Sequence, residues 1–255
     1  KLLSKTNVVT SLQVNNKSLS KDAFQFNPFR YDVNDTALIT LNTSVQNTFS
    51  FNRYISKWGF DISNLRNTGK ALLTYGYESR ALNDWLLKMR WNLSKSFTFD
   101  VTTKKGQNIL TTSNSKFDNR NYNLDIKSIE PRLTFIRSTN FRLQTGYKYD
   151  TKLNKDSSAD QSTSHSLNVE TKYNILRKTS VEAKFTLNNI SYNKPAANTT
   201  VSYIMLDGLL PGQNYLWSLR LTKTLLNNLE LRFEYEGRKP GAARTVHVGR
   251  ASINA

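Results

Sequence analysis

Apolar side chains recur at every second residue over long stretches of the chain, which is the period of a β-strand and not that of a helix. The clearest stretch runs from Trp85 to Leu93, where Lys88, Arg90 and Asn92 separate apolar residues. The same alternation returns at Phe141–Tyr149, Leu167–Ile175, Val181–Leu187, Trp217–Leu221 and Leu229–Tyr235. The pattern predicts a series of strands, each with one apolar face and one charged or amide face.

The connections between these stretches alternate in length. Short ones lie at 94–96, 138–140, 177–179 and 227–228, and longer polar ones at 113–120, 152–164, 193–198 and 237–244. Short turns at one end and longer loops at the other are typical of barrels with periplasmic turns and extracellular loops. We therefore predict an all-β fold, an antiparallel transmembrane β-barrel of about twelve strands, the first near Asn7 to Val14 and the last near Thr245 to Ala255.

A soluble β-sandwich or ligand-binding barrel is the alternative, because alternation alone says only that one face is buried. Strands of ten or more residues, repeated about a dozen times, are long for that class. Tyr and Trp near the predicted strand ends suit the headgroup depth of a bilayer. These aromatic residues are Tyr54, Trp58, Tyr75, Tyr77, Tyr192, Tyr203, Tyr215 and Trp217. We predict a lipid-facing surface formed by Trp85, Leu87, Trp91, Phe141, Leu143, Phe185, Trp217, Leu219, Leu231 and Phe233.

The chain is strongly basic, with 36 Lys and Arg against 19 Asp and Glu, a formal charge of +17. Nucleic acid is one partner that such a charge suggests. However, the basic residues are spread over all strands and loops, without a groove-reading helix or a base-stacking platform. We predict no nucleic-acid partner, and expect the positive charge to meet outer-membrane lipid and lipopolysaccharide phosphates. The loop residues expected there are Lys152, Lys155, Lys194, Arg238, Lys239 and Arg244.

Acidic and basic residues share the polar face of the later strands. A catalytic interpretation would pair two of the carboxylates as acid and base, as glycosidases do. A network that fills the lumen is the alternative, because unpaired charges in a narrow interior are costly and facing strands can neutralise one another. We predict such a lumen charge network, formed by Glu170, Lys172, Glu182, Lys184, Arg220, Glu230, Arg232, Glu234 and Glu236.

Residues able to carry catalysis or hold a metal are few. The chain has no cysteine and two histidines, His165 in a polar segment expected to be a loop and His247 at the start of the last strand. Neither has an Asp or Ser at a spacing that resembles a triad, and the two make no metal-ligand pattern. We predict a protein that is not an enzyme, with no catalytic, cofactor or metal site.

The last fifth of the chain, Tyr203 to Ala255, together with Leu72 to Arg80, resembles the C-terminal β-barrel region of large, poorly characterised outer-membrane proteins of Bacteroidota. The pieces that carry the resemblance are LDGLLPG from Leu206, YEGRK from Tyr235 and HVGR from His247. The resemblance implies the fold and a place in the outer membrane of a Gram-negative cell, and no defined activity. Such barrels usually finish on an aromatic residue, so the resemblance also implies a natural protein longer than 1–255.

The whole of 1–255 is predicted to form one barrel domain. An irregular aromatic-rich segment, Asn15 to Asn34, is expected to cap the barrel or dock against a partner. We expect the first and last strands to pair, and otherwise upstream strands to complete a wider barrel. The predicted function is a non-enzymatic structural or accessory subunit of a cell-envelope complex, because bulky charged side chains would largely fill the interior. A transport barrel for a solute or polypeptide is the alternative.

Overall fold

Strands make up most of the described part of the protein. The computed structural model describes residues 6–18, 38–53, 57–156, 160–175, 178–195, 199–225 and 229–254. The strands are β1 Thr6–Ser18, β2 Leu38–Phe51, β3 Trp58–Leu73, β4 Gly76–Asn92, β5 Phe97–Thr112, β6 Tyr122–Arg137, β7 Phe141–Asn154, β8 Gln161–Ile175, β9 Thr179–Tyr192, β10 Gly212–Thr224, β11 Glu230–Lys239 and β12 Val246–Asn254. A 3-10 helix over Ser115–Arg120 and a helix α1 over Thr200–Met205 interrupt them. The predicted all-β fold with about twelve strands is confirmed.

Each strand pairs antiparallel with the next one along the chain, so the spatial order of the sheet is β1 to β12. The ladder between β3 and β4 is typical, running without a break from Trp58 opposite Trp91 to Leu73 opposite Gly76. Among the described residues, no ladder joins β1 to β12, and these two are the edge strands. The expected pairing of the first and last strands therefore stays a prediction.

The two ends of the sheet differ in their connections. At the turn end, β4 and β5 are joined tightly, with the Leu93 amide donating to the Phe97 carbonyl at 2.9 Å. Ser138 adopts a positive φ of 57° in the turn between β6 and β7. The loop end carries the 3-10 helix and α1. The predicted alternation of lengths has two exceptions. The connection between β3 and β4 lies at the loop end and is short, and the one between β2 and β3 lies at the turn end and spans residues 52–57.

Helix α1 packs on one face of the sheet at the loop end. Val201 and Met205 of the helix form a buried cluster with Leu110, Tyr122 and Leu124 of β5 and β6. Residues directly opposite each other in a ladder lie on the same face, so the registers extend this assignment from strand to strand. We call the face that contacts α1 the inner face, and the opposite one the outer face.

The contacts of α1 with several strands indicate that the inner face is concave. In a flat sheet, β5 and β9 would lie about 19 Å apart, four spacings of about 4.8 Å, whereas a six-residue helix is only about 9 Å long. Yet α1 packs against Leu110 of β5 and Tyr192 of β9. It also accepts hydrogen bonds from Lys152 of β7 and Ser162 of β8. Contacts with strands on both sides of so short a helix are those expected of a sheet that curves around it.

Several strands are longer than the sequence indicated. The first extends to Ser18 instead of Val14. The predicted loop 152–164 is wrong in its bounds, because β7 continues to Asn154 and β8 begins at Gln161. Of the aromatic-rich segment 15–34, residues 15–18 belong to β1, and the rest lies outside the described residues.

No helix in the described ranges is both long and apolar enough to cross a membrane.

Candidate functional site

All ten side chains predicted to face lipid lie on the outer face. Phe185 is directly opposite Trp217, and Phe141 is opposite Tyr173, on the face away from α1. Five of the ten are exposed: Trp85, Trp91, Phe185, Leu219 and Phe233. The other five are half-buried against their neighbours: Leu87, Phe141, Leu143, Trp217 and Leu231. None is enclosed in a protein core, and whether lipid covers them stays a prediction.

The apolar part of the outer face forms a band over the turn-side half of the strands. On β4 and its turn it runs from Trp85 to Leu93, and on β8 from Leu167 to Ile175, nine residues each. Nine residues extend about 30 Å along a strand. At a strand tilt of about 40°, they would give a height of about 23 Å, close to the roughly 25 Å apolar band of outer-membrane barrels. The loop-side half of the outer face is mostly polar, with isolated apolar side chains such as Leu72 and Leu153.

Aromatic rings border this band on the turn side. Phe135 lies between Phe97 and Phe141, with ring centroids 4.7 and 6.1 Å away, and Tyr173 follows at 6.4 Å from Phe141. The row crosses from β5 to β8, and between Phe135 and Phe141 it moves two residues toward the turn end. Tyr192, predicted as a boundary residue, instead lies on the inner face and packs against the α1 cluster.

Both histidines lie on the outer face, near the loop-side border of the band. The Tyr147 hydroxyl is 2.6 Å from Nδ1 of His165, and the Tyr235 hydroxyl is 2.8 Å from Nδ1 of His247. His165 is expected in a loop, but it lies within β8, Gln161–Ile175. Each imidazole contacts a phenol of the neighbouring strand, an arrangement that does not form a Ser-His-Asp triad.

The predicted charge network lies on the inner face, where the strands bring most of its members into ion pairs. Glu182 lies 2.6 Å from Lys172 and 3.4 Å from Arg220, which is also 2.7 Å from Glu234. A second chain joins Glu170 to Lys184 at 3.3 Å and to Arg142 at 3.6 Å.

The last members of the network are on β11. Arg232 pairs with Glu230 of its own strand at 3.0 Å, and Glu236 lies opposite Ser218. The charges of β7 to β11 are thus largely neutralised across neighbouring strands. That this face encloses a lumen is still a prediction.

The inner face is not filled uniformly. Over β1 to β3 it carries short amide and hydroxyl side chains, such as Asn15, Asn42 and Asn67, which line a cavity of about 560 Å³. A second cavity of about 510 Å³ lies nearer the turn end, between charged side chains that include Lys88 and Arg132. A third, of about 410 Å³, lies beside Glu170. The inner face therefore has room for water or a small polar solute.

Three of the cations predicted to meet lipopolysaccharide are already paired within the protein. Lys152 is buried on the inner face, with its ammonium 2.5 Å from Asp207 and 3.0 Å from the Ile204 carbonyl. Lys155 and Lys194 pair with Asp125 and Asp160, each at 2.6 Å. The other three, Arg238, Lys239 and Arg244, are exposed. The interpretation of Lys152 as an outward-facing loop cation is wrong, because α1 covers it.

The described side chains contain no cluster of three or more histidine or acidic residues able to hold a metal ion.

Sequence reasoning missed α1 and its contacts. The signal was present at Thr199, whose side chain accepts a hydrogen bond from the Ser202 amide and caps the helix. The apolar run that follows has no alternation of period two. Positive φ angles at Asp207 and Gly208, 53° and 71°, then turn the chain back toward β10. This turn lies in the LDGLLPG piece that carries part of the resemblance.

Comparisons with known proteins show a likeness to solved structures. No family model and no curated protein matches the chain. Among solved structures, the chain is similar to the NanC porin in a rhombohedral crystal form, with 12% identity and a TM-score of 0.40. The match covers 85% of this chain and 94% of that one. The fold described above rests on the strand ladders of this protein alone.

Proposed function

We propose that this protein is an integral outer-membrane β-barrel. The observation that carries the proposal is the apolar band on the outer face, nine residues high on β4 and β8 and bordered by aromatic rings. Soluble monomers rarely expose contiguous apolar surface of this extent, while a membrane-crossing strand needs about 9 to 11 residues. Short connections at one end and structured loops at the other favour the usual orientation, with turns in the periplasm.

Flotation with lipid vesicles tests the location. The folded protein, mixed with preformed vesicles and washed with alkaline carbonate, should float with the lipid and resist extraction. A protein that stays folded and monomeric without detergent or lipid, and that sediments away from vesicles, would contradict the proposal.

Within the envelope, we propose a structural or accessory role without catalysis, with the barrel presenting its loops or outer wall to protein partners. Two features support an obstructed interior. The helix α1 packs on strands from β5 to β9, held by Lys152 and Ser162. The ion-paired side chains of β7 to β11 project from the inner face toward the same space.

A transport barrel is the second candidate, and the cavities beside the amide and charged side chains of the inner face favour it. Single-channel recording in a planar bilayer separates the two roles. An obstructed barrel gives no steady current, whereas an open lumen conducts at a constant level. Recording should include a variant in which Met205→Asp disrupts the packing of α1, because Met205 is 2% exposed in the folded protein. Current that appears only in this variant would support an interior closed by α1.

A further inference from the structure

Two lysines lie directly opposite each other on the outer face. Lys105 of β5 and Lys127 of β6 are ladder partners, and both are exposed. Directly opposite residues have their Cβ atoms about 4.5 to 5.5 Å apart, and like charges at such positions repel each other. A pair of this kind is stabilised when an anion lies between the two ammonium groups.

The protein itself does not supply that anion within its described ranges, where neither lysine has a carboxylate within ion-pair distance. The nearest acidic residue along the outer face of these strands is Asp125, which is already 2.6 Å from the ammonium of Lys155. Asp84, on the adjacent strand, belongs to the inner face and pairs with Lys104 at 2.8 Å. The two outer-face lysines are thus left to a partner outside the chain.

The position of the two lysines along their strands indicates which kind of anion would bind there. Trp85, 54% exposed, is the ladder partner of Lys105 on the other side. Two residues toward the turn end, the outer face becomes apolar at Ile129, and two residues toward the loop end it becomes polar at Gln107. The lysine pair therefore lies at the loop-side border of the apolar band. In a membrane this is the depth of the headgroup phosphates, which Trp and Lys side chains favour.

We propose that Lys105, Lys127 and Trp85 form a binding site for a lipid phosphate of the outer leaflet, with lipid A as its source. The two ammonium groups would hold one phosphate, and the indole would pack on the glycolipid or acyl chain below it. The proposal rests on the proposed membrane location of the band. It assigns lipid contact to the barrel wall instead of the loop cations, three of which are paired internally.

Native mass spectrometry of the protein in an uncharged detergent tests the site. The probes are lipid A, phosphatidylglycerol, phosphatidylcholine and inorganic phosphate. The variant is the double substitution Lys105→Gln and Lys127→Gln. The matched control is Lys88→Gln and Lys148→Gln, which removes the same charge from the inner face. A lysine beside an anionic surface contributes about fivefold in affinity, so the outer-face variant should bind lipid A about 25-fold more weakly. The control should change it less than threefold.

The relative affinities of the four probes identify the molecule that supplies the phosphate. Lipid A should bind more tightly than phosphatidylglycerol, and phosphatidylcholine and inorganic phosphate should show no adducts that depend on the two lysines. Equal loss in both double variants would overturn the site, and lysine-dependent binding of inorganic phosphate without lipid binding would overturn its lipid source. Either result could occur in a protein that still floats with vesicles, so failure of the site is distinguishable from failure of the membrane location.

Discussion

Leu219 is the position at which the outer-wall interpretation can be tested most directly. It lies near the middle of the apolar band on β10, is 47% exposed, and has Ala183 and Tyr235 as ladder partners. No protein side chain covers it fully, so in a soluble protein Leu219→Arg would cost little. In a bilayer, an arginine at mid-depth costs about 2 to 4 kcal/mol. That corresponds to a decrease of about 30- to 900-fold in the folding equilibrium constant.

The adjacent residue supplies the control. Ser218 projects to the inner face, opposite Lys184 and Glu236, so Ser218→Arg places the same charge beside a carboxylate. Urea titrations in phospholipid vesicles, followed by tryptophan fluorescence, give the free energy of unfolding of each variant. We expect Leu219→Arg to lower it by at least 2 kcal/mol more than Ser218→Arg. Equal values, or a larger loss at position 218, would mean that lipid does not cover the outer face.

Three further changes test the packing. A Cβ at Gly237 would approach the Trp217 indole to within about 2.2 Å. Gly237→Ala should therefore displace the ring, shift its fluorescence and lower the free energy of unfolding by about 1 to 3 kcal/mol. An unchanged emission spectrum would refute that contact. Met205→Ala should cost about 2 to 5 kcal/mol within the α1 cluster and speed amide exchange in the helix, which hydrogen exchange measures. Asp207→Asn should lower the free energy of unfolding by about 1 to 3 kcal/mol, because the buried Lys152 ammonium loses its carboxylate partner. Urea titration measures the loss, and an unchanged free energy would refute the role of this pair.

The assignment of residues to the two faces could be predicted from the sequence because it depends only on the period of two. A residue such as Leu219 is separated from Arg220 by one position, and any strand that includes both must place them on opposite faces. The same logic places the predicted charge network together, since antiparallel neighbours with matched alternation bring charges opposite one another. These predictions need no knowledge of the loops.

The loop-side strand ends were missed for a physical reason. On the loop side of the apolar band, β7 and β8 are polar on both faces, as at Thr151 and Lys152 of β7 and at Ser162 and Thr163 of β8. The backbone ladder continues there, with Lys152 still opposite Ser162, but the alternation of hydropathy disappears. Strand bounds drawn from hydropathy therefore end near the border of the band, and the strands themselves extend beyond it.

The placement of α1 could not be predicted because it depends on contacts that are distant along the chain. The pair of Lys152 and Asp207 joins residues 55 positions apart, and the cluster joins Leu110 to Met205. No local sequence pattern predicts these long-range contacts. The placement depends on the arrangement of the strands from β5 to β9 around a single short helix.

The sheet can close into a barrel only if its two edge strands pair with each other. Both β1 and β12 present one unpaired row of backbone groups within the described residues, and in a bilayer each unsatisfied group costs several kcal/mol. Twelve is an even number, so the two edge strands run antiparallel and can pair. The faces then restrict the register. Leu12 of β1 lies on the outer face opposite Val45, and Ala251 of β12 lies on the outer face opposite Phe233.

Closure therefore allows Leu12 to face only an odd-numbered residue of β12. The chain has no cysteine of its own. Each introduced pair of cysteines can therefore be tested without interference from native thiols. We expect Leu12→Cys to form an intramolecular disulfide, in vesicles under mild oxidation, with a cysteine at one of Gly249, Ala251 or Ile253, and not at Arg250, whose side chain lies on the inner face. Disulfide formation is read as faster migration of the monomer on an unreduced gel. Crosslinking at Arg250 as readily as at its odd-numbered neighbours, or only between two molecules, would mean that β1 and β12 do not close the sheet on each other.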